Sequence, residues 1–101
     1  MEKSSILLQF KIIELESEEA ALSYLFESLI DMLNNIEACE EFLQTAKNEV
    51  LSTDAMVHIL NALSPVKTKI GCWDEFVQDT FKKLTKNEGE TNAKDLLKVI
   101  L

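Results

Sequence analysis

Arginine is absent from this chain, and histidine, proline and tryptophan each occur once. No glycine or proline stands between Met1 and Ser64; the only proline is Pro65 and the only glycines are Gly71 and Gly89. A β-rich fold needs turn residues at short intervals. Their scarcity points instead to helices joined by polar turns. The missing arginine bears on partners. All ten basic residues are lysines, set against 18 acids, for a net charge of -8. Phosphate neutralisation supplies most non-specific nucleic-acid affinity, and arginine is the preferred reader of guanine. An acidic chain without arginine is repelled by DNA, RNA and anionic lipid, so direct nucleic-acid binding is not expected.

Other absences narrow the chemistry. A Ser-His-Asp or Cys-His site would have to use His58, which sits among Met56, Val57, Ile59 and Leu60 with no activated nucleophile nearby in sequence. It reads as a core or boundary histidine. A di-iron bundle needs two Glu-x-x-His elements, and one histidine cannot supply them. Zinc would need Cys39, His58, Cys72 and a carboxylate to converge, and their spacing matches no standard ligand pair. Glu37, Glu40 and Glu41 lack the glycine-containing loop of an EF-hand. No phosphate-binding loop or Gly-x-Gly fingerprint occurs. A helix-turn-helix around Pro65 would offer Lys67 and Lys69 but then Asp74, Glu75 and Asp79, a poor start for a recognition helix. No catalytic, metal or cofactor residue is assigned, and no enzymatic role is expected.

Nor is there a membrane signal. No segment approaches the ~20 apolar residues that span a bilayer. The run Ile6, Leu7, Leu8 is broken by Gln9 and Lys11, and no small-residue cleavage site follows. Cys39 and Cys72 read as small core residues rather than a secreted disulfide scaffold, with a bridge between them left open. A cytoplasmic protein is expected.

What is present is helical periodicity. In the first apolar segment Ile6, Phe10 and Ile13 share one face, and Leu8, Ile12 and Leu15 a neighbouring one. Leu22, Leu25, Phe26, Leu29, Leu33, Ile36, Cys39, Leu43, Ala46 and Val50 follow at steps mostly of three and four. Ser17 can cap a fresh helix start with Glu18 and Glu19 in its first turn. Asn34 and Asn35 mark a break or kink. One very long acidic helix or a pair fits this region equally. Ser52, Thr53 and Asp54 form a cap cluster before Met56, Ile59, Leu60 and Leu63. Ser64 and Pro65 read as cap and first residue of a further helix carrying Val66, Ile70, Trp73, Val77, Phe81 and Leu84, with Gly71 inside it and Phe76 at the stripe's edge. Lys86 to Thr91 reads as a polar loop, and Asn92 as the cap of a short last helix. The expectation is one all-α domain over residues 1–101, an antiparallel bundle of three to five helices with a long acidic N-terminal helix or helix pair.

The charge is unevenly divided. Residues 1–54 hold 12 acids and 3 lysines, a net of -9, and residues 55–101 hold 6 acids and 7 lysines, a net of +1. No basic residue occurs from Ile12 to Ala46. The acids there, among them Glu14, Glu18, Glu27, Asp31, Glu37 and Glu41, form a solvated face, pair with Lys67, Lys69, Lys82, Lys83 and Lys86, or dock a basic partner.

The two ends are apolar beyond what one buried stripe needs. Ile6, Phe10 and Ile13 at one end and Leu97 and Ile100 at the other either pack on each other or form an interface. The function expected is a non-enzymatic adaptor or regulator, itself a homodimer, that binds another protein through these apolar faces. The alternatives are an acidic decoy that occupies a basic, nucleic-acid-binding protein surface, and a helical sensor of a small molecule.

Overall fold

The computed structural model describes residues 5–100 of the backbone and residues 6–98 of the side chains. Those residues are all-helical, with no strand among them. Six α-helices, α1 (Ser5–Glu14), α2 (Glu18–Asp31), α3 (Ile36–Lys47), α4 (Thr53–Leu63), α5 (Trp73–Glu88) and α6 (Glu90–Ile100), are joined by short links. A 3-10 helix, Ser64–Lys69, follows α4 directly.

The count exceeds three to five because the N-terminal region divides twice, where polar side chains offer the backbone an exit. After α1 ends, the Ser17 hydroxyl accepts from the Ala20 N–H at 3.2 Å and starts α2. Asn35 Oδ1 accepts from the Ala38 N–H at 3.1 Å and starts α3. Ser52 does the same for α4, accepting from Ala55 at 3.2 Å. Each cap satisfies one of the donors a helix leaves orphaned at its start.

Two sequence expectations fail at glycine. The helix expected from Pro65 to Leu84 is two pieces. Pro65 opens the 3-10 helix, Ile70 is extended (φ -92°, ψ 114°), and Gly71 lies in the turn before α5. The Gly71 N–H donates to Glu40 Oε2 at 2.8 Å and so leaves the helical ladder for a carboxylate of α3. The buried face of α5 also differs from the expected stripe. Trp73, Phe76, Thr80 and Leu84 are buried, and Val77 and Phe81 stand half-exposed on the flank. Phe76 is thus a core residue. The expected polar loop from Lys86 to Thr91 shrinks to Gly89, whose φ of +91° suits glycine alone. Its N–H donates to the Thr85 carbonyl at 2.9 Å, and α6 begins at the next residue. Asn92 lies inside α6 and donates to the Glu88 carbonyl at 3.0 Å rather than capping.

One core cluster draws on every helix: Leu7 and Phe10 from α1, Leu25 and Leu29 from α2, Cys39, Phe42 and Leu43 from α3, Trp73 and Phe76 from α5, Ala93 and Leu97 from α6. At its centre lies α4. It packs on α2, α5, α6 and the 3-10 helix, and it buries Ala55, Met56, Ile59, Leu60, Ala62 and Leu63. The Cα radius of gyration is 12.8 Å, as expected of about a hundred residues around one core. Across the outside, Lys83 of α5 reaches the C-terminal end of α3 and donates to the Lys47 carbonyl at 2.7 Å. A cation there meets the negative end of the helix dipole.

Candidate docking surface

Helix α1 sits at the edge of this arrangement and packs mainly on α2. Its inner side is Leu7 and Phe10, 3% and 1% exposed, with Ile6 and Ile13 half-buried beside them. Its outer side is also apolar. Leu8, Ile12 and Leu15 are 63%, 51% and 87% exposed. Leu8 and Ile12 lie one turn apart on one stripe of α1, and Leu15 follows in the turn just after the helix. Beside Leu8 opens a groove of about 200 Å³ lined by Leu7, Leu8, Lys11, Thr45 and Glu49. Lys11 and Glu49 form an ion pair there, linking α1 to the residues just after α3.

The acids gather where the stripe ends. Leu15 lies in the run Glu14, Leu15, Glu16, Ser17, Glu18, Glu19 between α1 and α2. Glu16, Glu18 and Glu19 are exposed and Glu14 is half-buried. Glu18 and Glu19 occupy the first turn of α2, where the helix dipole favours negative charge. Further along, Glu27 and Asp31 lie one turn apart on the exposed face of α2, and Glu37 lies exposed in the first turn of α3. Glu41 is half-buried on α3.

Among the described residues, Glu14, Glu18, Glu27, Asp31 and Glu37 pair with no lysine. The lysines turn elsewhere: Lys47 to Glu75, Lys83 to Asp79 at 3.1 Å and Lys94 to Glu90 at 3.3 Å. The neighbouring Glu75 holds the Lys47 ammonium above its ordinary pKa by hydrogen bonding.

The residues expected to form the apolar interface divide. Phe10 and Leu97 are core residues of this chain and are not free to dock a partner. Ile6 and Ile13 are half-buried against the same core. Ile100 closes α6, and its side chain lies outside the described residues. The two ends share the core without packing chiefly on each other, since α6 packs on α5 and α4. The sequence offers both stripes of α1 and leaves open whether Ile6, Phe10 and Ile13 pack inward or form an interface; Phe10 packs inward. Phe10 was the usable signal: an aromatic ring removes the most surface from water and takes the core position.

Other clefts carry less chemistry. His58, half-buried on α4, shares a surface groove of about 320 Å³ with Leu22, Ser23, Phe26, Glu27 and Asn61. Its Nδ1 lies 2.7 Å from the Asp54 carbonyl, which only accepts, so Nδ1 is the donor in that bond. The Phe26 ring meets it edge-on with centroids 6.2 Å apart. Among the described residues, no three His, Cys, Asp or Glu side chains come together as a metal site. A third groove, about 670 Å³, runs along Phe81, Thr91, Lys94, Asp95, Leu97 and Lys98.

Cys39 and Cys72 are free thiols, which closes the question of a bridge. Burial pushes both thiols above their ordinary pKa, and the nearby Glu40 carboxylate adds to the shift. That is opposite to the activation a nucleophilic cysteine needs. No described helix is long and apolar enough to cross a membrane.

Comparison of the chain with protein families, with characterised proteins and with solved structures yields no significant match.

Proposed function

We propose that this protein is a non-enzymatic interaction module that docks another protein on the outer stripe of α1. One observation carries the reading. The large hydrophobic residues exposed among the described residues are Leu8, Ile12, Leu15, Ile30 and Val50, and three of the five cluster here, Leu8 and Ile12 on the stripe and Leu15 in the turn just after it. Scattered exposed aliphatics are ordinary, whereas a contiguous row marks a contact surface. Fully burying one such side chain is worth about 1.5–3 kcal/mol, so a partner that covers the row gains a useful anchor. The adaptor or regulator role follows from docking without catalysis. Free, unactivated thiols support a cytoplasmic setting. The short links between α1 and α2 and between α5 and α6 support an antiparallel bundle as the scaffold.

A photo-cross-linking residue at position 12, expressed in the native host, tests the proposal. It is expected to give one discrete adduct that disappears when Leu8→Ser is added. The same probe at the exposed Gln78 of α5 is expected to give none. The adduct mass separates a second copy of the chain, the homodimer reading, from a different protein. Equal adduct patterns at positions 12 and 78 would remove the stripe as the docking surface.

A further inference from the structure

We propose that the occupant of the α1 stripe is a lysine- or arginine-rich amphipathic helix of another protein. This rests on the docking reading above and adds the chemistry of the partner. The stripe is narrow: Leu8 and Ile12 lie one turn apart on α1, and Leu15 follows in the turn just after it. That shape suits a single helix presenting aliphatic anchors at spacings of four and three, rather than a broad sheet face. The groove beside Leu8, lined by Leu7, Lys11, Thr45 and Glu49, gives one such anchor a place to enter. Lys11 and Glu49 neutralise each other there, so the groove itself selects for an apolar group.

The charge is supplied at the stripe's other end. Leu15, the most exposed of the three, is followed by the exposed acids Glu16, Glu18 and Glu19. None of these three makes an ion pair among the described residues, and no basic residue follows in sequence until Lys47. A helix that covers Leu15 therefore brings its flanking residues near three carboxylates that no lysine pairs with among the described residues. Cations at that end gain attraction, and acids there meet like charge. The same argument disfavours the other occupants. A second copy brings another net charge of -8, and an anionic membrane or nucleic acid brings more negative charge.

The test uses the full-length protein and two synthetic amphipathic peptides of about fifteen residues. Both carry leucines spaced by four and three; one has lysine at its polar positions, and its twin has glutamate there. Binding is followed by fluorescence anisotropy and by amide chemical shifts of the protein. The lysine peptide is expected to bind, to shift amides of α1 and of residues 15–19, and to weaken at least about tenfold as salt rises from about 50 to about 500 mM. The glutamate twin is expected not to bind. Glu16→Lys with Glu18→Lys and Glu19→Lys is expected to reverse that preference. If the triple variant disturbs the start of α2, Glu16→Gln with Glu19→Gln is expected to move affinity in the same direction by less.

Each contrary result is separable. If both peptides bind equally and only Leu8→Ser with Ile12→Ser weakens them, docking on the stripe stands and the basic partner is wrong. If the lysine peptide binds as well to that serine variant, attraction is diffuse and the proposal is overturned. If neither peptide binds at about 1 mM, the basic-helix partner is overturned, while the in-cell cross-link at position 12 still decides the docking reading.

Discussion

Helices α1 and α4 are both rich in large apolar residues, yet they use them differently. In α4 the buried residues Ala55, Met56, Ile59, Leu60, Ala62 and Leu63 face neighbours on several sides, because α2, α5, α6 and the 3-10 helix surround it. In α1 the apolar residues lie on both sides, but the core lies on only one. Leu7 and Phe10 are sealed in, and Leu8 and Ile12 face out. Apolar content alone does not decide burial. A helix's place in the packing does, and surplus apolar surface at an edge position is where a partner is sought.

The sharpest way to break this comparison is to truncate both helices at their inner positions. Phe10→Ala is expected to cost about 3–5 kcal/mol and Leu60→Ala about 2–5 kcal/mol, read from urea midpoints. If Phe10→Ala were nearly neutral, α1 would be a loosely attached arm and its two sides would be equivalent. Next in size is the link at the far end. Gly89→Ala forces a side chain onto a φ of +91° and is expected to cost about 1–3 kcal/mol, although nothing crowds the new methyl group. Removing a helix cap comes third, with Ser52→Ala expected to cost about 1 kcal/mol at the start of α4. The smallest effect separates the sides of α1 most cleanly. Leu8→Ser is expected to leave stability within about 0.5 kcal/mol while abolishing the cross-link at position 12.

The thiols add a pH dependence to the core side. The folded-state pKa of Cys39 lies above the ordinary 9.0 through burial. Below that value both folded and unfolded states hold the proton, and its contribution to stability is fully present. As pH rises through it, the unfolded thiol deprotonates first, so stability falls. Cys39→Ala is expected to flatten that alkaline decline relative to the parent chain. An unchanged slope would place the alkaline sensitivity elsewhere.

Much of the fold was legible because helix starts are written locally. Ser17, Asn35 and Ser52 each announce a helix through a side-chain oxygen three residues before an N–H. The breaks at Gly71 and Gly89 were not. Gly71 leaves the helix because Glu40, far away in sequence, takes its N–H, and no local pattern records that bond. Gly89 was read as part of a longer loop because the polar residues around it suit an exposed helix surface as well as a loop. The concentration of acids between Ile12 and Ala46 is plain from composition, but nothing in the sequence singles out Glu16, Glu18 and Glu19 from the other acids there. The apolar half of the candidate site was not legible either, because two stripes of similar hydrophobicity adjoin on α1, and only the placement of neighbouring helices picks the inner one.

The brevity of two links also bears on the order in which the chain folds. Gly89 alone separates α5 from α6, and residues 15–17 separate α1 from α2. Closing such short loops sacrifices little chain entropy, so these two pairs can collapse on a fast, local timescale. The bond from Lys83 to the end of α3 spans 36 residues and must wait for α4 to be enclosed. The two pairs are therefore expected to act as separate early units, with enclosure of α4 as the common late step. Amides at the centre of α4 are then expected to exchange with solvent only when the whole molecule opens, and those of the outer turns of α1 and α6 far sooner.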